Sequence, residues 1–588
     1  MNQLSQPNSR ARWIAPLLVL IVGTIAYSHS ENGPFIFDDI AAIQHNPQIR
    51  SLDSFLHPST VTTTISGRPM AIFSFAVDYA IGGLRVQIYH ETNVLIHLLC
   101  GLALYEVTRR TLVRSNFSAL EATWLAAAVG GLWVVHPLTT QAVTYLVQRV
   151  ESLASLFILL TILCLIIASD GKWWWGVLTV VCCALGMLSK EIAVVTPILA
   201  LLYDRAFLAG SFRRALRRRW GIYLGLAATW GFLALLIPGS GQRHMAGFHV
   251  GISPWQYAET QMNVIAHYVR LAVWPTNLCL DYYDWPMATN AGDITWRGRT
   301  VMLAICGWIA ALRYRPRLAF VMGWFFLILA PSSSILPIKN EAAAEQRMYL
   351  PLAAIICLCA VGGWTLLRSH RLMRATAVLA WCACTAGLIC LTLGRNDQYQ
   401  SSLDIWTDTV AKRPNNARAR FNLGEAYAQE SLEFPHGSAE SAAAIRQAMD
   451  QFRDVLELEP EESDDIFAIG ESLDRAGDPL AAERFYTQAL EKYPNIAADL
   501  LVERGNLRAR REDWSGARQD FLDAIDAKPN DVEPHYFLGL VYLAVGGRAE
   551  AIAELQKAAR IDPNYKDVTT RLSALSSPGS QPAPAPPH

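Results

Sequence analysis

The sequence predicts an all-α protein in two parts, a polytopic membrane helix bundle followed by a C-terminal tetratricopeptide-repeat α-solenoid. Three observations carry the prediction. Only 17% of the 588 residues are charged and 52% are hydrophobic, whereas soluble domains carry about a quarter charged residues. Nearly all the long apolar runs lie before about residue 395. Beyond it, prolines at 460, 494, 529 and 563 recur at spacings of 34, 35 and 34, the period of the tetratricopeptide repeat. This composition excludes a purely soluble chain and also a disordered one. A formal net charge of −1 offers no electrostatic ground for a nucleic-acid partner.

A spanning helix needs about 20 mostly apolar residues. Candidates fall near 12–28, 89–107, 121–136, 150–168, 173–189, 191–208, 219–237, 299–313, 317–331, 349–367 and 373–393, about eleven spans, some short enough to need flanking residues. Basic residues set the expected orientation. Arg10 and Arg12, Arg109 to Arg114, Lys172, the cluster Arg213 to Arg219, Arg313 to Arg317, and Arg368 to Arg374 all fall on one side if the amino terminus is cytoplasmic. An odd number of spans then puts everything after residue 395 outside the cytoplasm. The first run also reads as a signal peptide cut near Ser28, which would leave the remaining topology unchanged.

Residues 262–275 place Val264, Ile265, Tyr268, Leu271 and Ala272 on one helical face and Asn263, His267 and Arg270 on another. That pattern predicts an interfacial amphipathic helix rather than a span. The two long outer segments, 29–88 and 238–298, are rich in Trp, Tyr, Asp and Pro. Structureless loops of that length are uncommon unless functional.

The expected domains are a membrane domain over 1–395, a linker helix over 396–414, about four repeats over 415–575 and a disordered Pro-, Ser- and Ala-rich tail over 576–588. Within the array, Leu538, Gly539, Tyr542, Ala551, Leu555, Ala558 and Pro563 fall at repeat offsets, as do Gly505, Ala517, Phe521, Ala524 and Pro529. Gly470, Ala482, Tyr486, Ala489 and Pro494 mark another repeat, and the first is stretched by a polar insert after Tyr427. Small residues let paired helices approach, aromatics fill the gap and Pro ends the second helix. None of the eleven cysteines lies in the array and none forms a CxxC pair, so neither a disulfide framework nor a zinc site is expected.

Ionisable residues in or beside spans are costly and usually face a cavity. The sharpest group is Phe35-Ile36-Phe37-Asp38-Asp39 after the first span. One carboxylate there suits a general base; the competing reading is a turn or helix cap. On the same expected outer face lie Arg68, His90, Asn93 and His97; His136, Gln141, Tyr145, Arg149 and Glu151; Lys190 and Glu191; and Lys339, Glu341, Glu345, Arg347 and Tyr349. Cations there cannot serve the positive-inside rule, which makes them candidates for an anionic headgroup or phosphate. Each competes with a plainer reading: snorkelling or an internal ion pair, mutual pairing for Lys190 and Glu191, helix packing for His97. Asp281, Asp284 and Asp293 read as solvated or capping residues, and no metal-site spacing emerges.

Phe-Asp-Asp, Gly67-Arg68-Pro69, Tyr89-His90-x-x-Asn93-x-x-x-His97, His136-Pro137, Val143-Thr144-Tyr145, Arg149-x-Glu151, Leu188-Ser189-Lys190-Glu191 and Glu345-Gln346-Arg347-Met348-Tyr349-Leu350-Pro351 occur in this order. With the repeats and the Trp274-Pro275 and Leu280-Asp281 pairs, the chain resembles the transmembrane and tetratricopeptide repeat-containing O-mannosyltransferase family, especially its bacterial relatives. The resemblance implies a GT-C fold and a glycosyltransferase that takes a sugar, usually mannose, from a polyprenyl-phosphate donor to protein hydroxyls. It implies Asp38 or Asp39 as the catalytic carboxylate and Arg149, Lys190 and Arg347 as donor-phosphate ligands. Arg68, His90, His136, Glu151, Glu191, Glu345 and Tyr349 are further pocket candidates. Gln141 departs from the family pattern, where an acidic residue is common.

The expected function is thus transfer of a sugar from a polyprenyl-phosphate donor to Ser or Thr on the non-cytoplasmic side of a bacterial inner membrane. No cofactor or metal is expected, and the repeats are expected to hold the acceptor polypeptide. One alternative is a GT-C transferase or ligase acting on a lipid or polysaccharide acceptor, which would not need the repeats. Another is a non-catalytic membrane-anchored scaffold, for which eleven spans are excessive and a dry, closed bundle is the expectation. Polar residues gathered at one edge rather than the midplane count against a transporter.

Overall fold

The fold is that of a computed structural model describing residues 9–56, 62–236, 247–248, 251–338, 340–368, 371–435, 437–458 and 463–576. Lys339, Pro460 and the tail from 577 onward lie outside the described residues. The chain is all-α, with no strand among the described residues, and separates into two compact units, Met1–Lys412 and Arg413–His588.

In the first unit the apolar segments are helical. The principal helices are Ser9–Ala26, Val86–Arg114, Ala119–Val134, Arg149–Ala168, Trp173–Met187, Trp220–Leu236, Trp296–Tyr314, Pro316–Leu329, Leu352–Leu367 and Arg371–Gln398. The segment 191–208 is broken, with a 3-10 turn over Glu191–Val195 before the helix Thr196–Tyr203. Taken singly, two helices are long and apolar enough to cross a membrane, Leu146–Ala168 and Leu372–Gln398. Two bent pairs, Ala119–Val134 with Pro137–Val143 and Glu191–Leu208 with Phe212–Arg218, raise that number to four. The rest of the expected spans are helices that fall short of that test on length or apolarity.

Two of the long connecting segments hold more structure than a loop. Pro69–Gly82 is an apolar helix within the segment expected as a loop. Pro69 sits in its first turn, where the missing N–H costs nothing, and Gly83 ends it at φ 64°. At 14 residues it is too short to resemble a span. The amphipathic segment begins earlier than its periodicity suggests, as Pro254–Val273. A reciprocal cap between Ser253 and Gln256, with Pro254 behind it, fixes that start. The helix buries Tyr257, Val264, Ile265, Tyr268 and Leu271 and leaves Val269 and Val273 exposed.

Small residues set the helix spacing of the bundle. A Cβ on Gly101 would collide with Val134, and one on Gly130 would press on the Gly101 carbonyl, so Val86–Arg114 and Ala119–Val134 approach closely. Below them His97 bonds the Val134 carbonyl through Nε2 at 2.9 Å and the Tyr349 hydroxyl through Nδ1 at 2.8 Å. A carbonyl only accepts, so Nε2 carries the proton and Nδ1 receives the Tyr349 O–H. His97 is a packing residue with both nitrogens satisfied. The stretch expected as a linker is the end of Arg371–Gln398 followed by Ser402–Lys412, and both belong to this unit. Lys412 Nζ donates to the Leu278 carbonyl at 2.7 Å, and Asp408 pairs with Arg395 at 2.8 Å.

The second unit is a stack of antiparallel helix pairs beginning with Ala417–Ser431 and Ala439–Glu457 and ending with Val532–Ala544 and Arg548–Ile561, then Val568–Ser576. Its spacing rule is visible in three glycines. Cβ atoms on Gly470, Gly505 and Gly539 would run into Tyr486, Phe521 and Leu555, each 16 residues on (470 to 486, 505 to 521, 539 to 555). In the stretched repeat Gly424 meets Phe452 instead, 28 residues on, so the insert adds 12 residues without changing the contact.

Candidate functional site

Five separated stretches of the first unit line one polar cavity of about 470 Å³, within the usual size range of small-molecule sites. Asp38 comes from the loop after the first helix and Arg68 from the turn before Pro69–Gly82. Gln148 and Glu151 stand at the start of Arg149–Ala168, and Lys190 and Glu191 at a helix break. Glu341, Gln346 and Arg347 come from the loop before Leu352–Leu367.

The adjacent aspartates separate. Asp38 lines the cavity and is part-exposed, and its backbone N–H donates to the Tyr145 hydroxyl at 3.1 Å. Asp39 is fully buried; it accepts from Val147 N–H at 2.7 Å and Ile36 N–H at 3.2 Å. Burial pushes its carboxyl well above the ordinary range. Asp39 thus ties the loop to the Leu146–Gln148 turn and does not reach the cavity. Between the two chain directions stands Phe37 at φ 49°, a left-handed conformation that bulky side chains rarely adopt. Its ring packs edge-on against buried Trp406 at 5.4 Å, which helps hold that backbone in place.

Three cations meet in the cavity, each beside a carboxylate. Arg68 grips Glu191 through Nε at 3.4 Å and Nη2 at 3.1 Å, and donates to the Thr64 carbonyl at 2.8 Å. Lys190 Nζ lies 2.9 Å from Glu151. Arg347 donates to the carbonyls of Ser332 and Ala342, both at 3.2 Å, and of Glu341 at 2.7 Å. The expected pairing of Lys190 with Glu191 is not what forms. Lys190 is extended, at φ −160° and ψ 153°, so the two neighbours point to opposite sides and find different partners.

Three side chains of the lining have a buried acceptor with no hydrogen-bond partner among the described residues, Gln148 Oε1, Glu151 Oε1 and Gln346 Oε1. An unsatisfied buried acceptor costs about 1–3 kcal/mol. The lining therefore has room for hydroxyl donors from a ligand or from water.

The other expected site residues lie elsewhere, and packing explains each. Arg149 is wholly buried, 2.6 Å from Asp78, bonded to the Tyr89 carbonyl at 2.9 Å and stacked on Phe75. That ion pair absorbs its charge, so it is not a donor-phosphate ligand of this cavity. His90 bonds the Gly33 carbonyl at 3.0 Å and His136 the Ala272 carbonyl at 3.1 Å. Glu345 accepts from Cys279 N–H and the Tyr282 hydroxyl, both at 2.6 Å, and its burial raises its pKa. Tyr349 belongs to the His97 and Trp133 cluster. Gln141 clamps two loops, donating to the Leu280 carbonyl at 2.7 Å and accepting from Gln346 N–H at 3.0 Å. Among the described residues no group of three or more metal-binding side chains occurs.

Several contributors escape sequence reasoning. Asp78 had a signal, a lone carboxylate inside an apolar run. Tyr257, Gln261 and Tyr268 line one side of the amphipathic helix and fasten the Arg347 loop: Tyr257 donates to the Ser332 carbonyl at 2.8 Å, Gln261 to the Ala342 carbonyl at 2.9 Å, and Ala344 N–H donates to Tyr268 at 2.8 Å. Their periodicity announces a buried face but not what it holds.

A tetratricopeptide-repeat family pattern matches residues 391–454, 467–532 and 502–566. A protein O-mannosyl-transferase of Caenorhabditis elegans is 24% identical over 447 residues, 72% of this chain and 61% of that one. Protein O-mannosyl-transferase TMTC3 of Mus musculus is 23% identical over 636 residues, 95% of this chain and 65% of that one. These relatives of the chain are thus proteins named protein O-mannosyl-transferases, of whose length it spans somewhat less than two thirds. Among solved structures, ArnT from Cupriavidus metallidurans bound to undecaprenyl phosphate aligns at 14% identity over 82% of this chain and 81% of that one, with a TM-score of 0.37.

Proposed function

We propose, taking kinship with the repeat-bearing protein O-mannosyl-transferases as premise, that this chain is a GT-C-type membrane glycosyltransferase. It takes a sugar, mannose by that kinship, from a polyprenyl-phosphate donor to Ser or Thr hydroxyls on the non-cytoplasmic side. The setting in this reading is a bacterial inner membrane crossed about eleven times, with the repeats periplasmic and binding the acceptor polypeptide. The observation that carries it is the meeting of Asp38 with Arg68, Lys190 and Arg347 in one cavity.

The chemistry follows from those groups. Asp38 takes the proton of the acceptor hydroxyl as its oxygen forms a bond to the anomeric carbon. The bond from that carbon to the phosphate oxygen breaks, and its electron pair leaves with the lipid phosphate. Arg68, Lys190 and Arg347 stabilise the charge that develops there, and the reading assigns no resident metal. Arg offers the phosphate a bidentate fork while Lys acts as a point charge. Glu151 Oε1 and Gln346 Oε1 are acceptors of the kind a sugar's hydroxyls require. The charged lining also speaks for an enzyme over a scaffold with a dry bundle.

The test is transfer of label from polyprenyl-phosphate mannose to a Ser/Thr-containing polypeptide by the full chain in a bilayer. The expected result is label on the polypeptide, lost in Asp38→Asn. Label appearing on lipid or polysaccharide alone would move the acceptor to the alternative class, and transfer unchanged in Asp38→Asn would remove the base.

A further inference from the structure

A second cleft, of about 390 Å³, opens between the amphipathic helix Pro254–Val273 and the helices Trp296–Tyr314 and Pro316–Leu329. Its wall is apolar, built from Ile265, Val269, Val301, Ala304, Phe325 and Phe326, and Arg270 and Arg297 also border it. Arg297 lies in the first turn of its helix and Ala304 two turns further along, and both arginines border the same apolar wall. Trp274, Trp296, Val269 and Val273 beside it are exposed, the composition of a bilayer interface.

These two arginines differ from those of the polar cavity. Arg68, Lys190 and Arg347 each stand beside a carboxylate. Among the described residues Arg270 and Arg297 have no carboxylate within ion-pair distance; Arg270 makes one long bond to the Thr276 carbonyl at 3.4 Å, and Arg297 lies over the Trp296 ring. Among the described residues no carboxylate borders the cleft.

We propose that this cleft is a binding site for an anionic bilayer phospholipid, its phosphate held by Arg270 and Arg297 and an acyl chain laid along Val301, Ala304 and Phe325. An unpaired guanidinium beside an apolar trough matches a phosphate that carries hydrocarbon. A sugar donor is disfavoured as the occupant, since its anomeric carbon has to lie within reach of an acceptor hydroxyl and the base that takes its proton, and among the described residues this lining holds no carboxylate. The phospholipid is also the phosphate-bearing amphiphile in greatest excess at a membrane edge.

The site reaches the polar cavity through one helix. Arg270 belongs to the helix whose other face carries Tyr257, Gln261 and Tyr268, and these hold the Ser332, Ala342 and Ala344 backbone around Arg347. A lipid that steadies the helix steadies that loop. Its effect on transfer rests on the function proposed above; its binding does not.

The experiment is native mass spectrometry of the full chain released from nanodiscs of phosphatidylglycerol and phosphatidylcholine, with hydrogen exchange of residues 254–273 and 341–347. Wild type is expected to retain phosphatidylglycerol preferentially and to gain protection in both segments. Retention falls roughly tenfold or more in Arg270→Ala/Arg297→Ala, at about 1 kcal/mol for each arginine near an anionic headgroup. It survives in Arg270→Lys/Arg297→Lys. Equal retention of both lipids, unchanged retention in the alanine pair, or loss in the lysine pair would overturn the proposal. So would protection by inorganic phosphate alone, or displacement of phosphatidylglycerol by stoichiometric polyprenyl phosphate.

Discussion

Arg347 and Tyr257 donate to the same carbonyl oxygen, that of Ser332, at 3.2 and 2.8 Å. The shared acceptor makes the amphipathic helix part of the frame that aims a cation into the polar cavity. Tyr257→Phe keeps the ring and removes one donor, a net loss of about 0.5–1.5 kcal/mol. The expected outcome in steady-state kinetics is a several-fold rise in donor KM with kcat nearly unchanged. An equal fall in kcat at constant KM would mean that Tyr257 does not act through Arg347.

Asp38 and Asp39 are neighbours in sequence with opposite fates, and their asparagine variants should diverge. Asp38→Asn is expected to keep the wild-type melting temperature while transfer falls by about 10²–10⁴, the range for a general base. Asp39→Asn places an amide NH₂ against one of two backbone N–H donors, so its main effect is lower stability. Parallel thermal melts and transfer assays separate the two.

Lys190 and Glu151 form a pair in which the carboxylate is almost completely buried. Removing one partner of such a pair costs about 3–5 kcal/mol because the other charge is left uncompensated. Lys190→Ala should therefore destabilise strongly, and adding Glu151→Gln should recover much of the loss. A double-mutant cycle on melting temperature measures the coupling; additive effects would show that the two groups do not interact.

Asp39 also has a pH signature. Its folded-state pKa is raised above the ordinary 3.8 by burial, so between those values the folded chain holds a proton that the unfolded chain has released. That contribution to stability is complete below about pH 4 and is lost as pH rises through the folded value. Melting temperature followed upward from pH 4 should decline more steeply for wild type than for Asp39→Asn, which cannot titrate.

In the repeats, a methyl group on Gly470 has nowhere to go, because the Tyr486 ring fills that space. Gly470→Ala is expected to destabilise the array by about 1–3 kcal/mol, the usual range for overpacking. Tyr486→Leu in the same chain should relieve part of it. Limited proteolysis of the full chain, read as the rate of cleavage within 463–510, reports both effects.

What the sequence determined by itself is local and periodic. Apolar runs became helices, the 34-residue period became stacked helix pairs, and the amphipathic face over 262–275 became a buried one, because each depends on residues within a turn or a repeat of one another. The cluster of polar motifs was legible too, in that Asp38, Arg68, Glu151, Lys190, Glu191 and Arg347 do meet in one cavity. Which way each side chain turns was decided by tertiary structure. Asp39 points to the Val147 N–H, 108 residues away, and Arg149 to Asp78 on a short helix that no span pattern announces. Lys190 and Glu191 part company because their partners stand on opposite sides of an extended residue. A buried charge goes where its counter-charge is, and that place is set by how separated segments pack, which spacing along the chain does not encode.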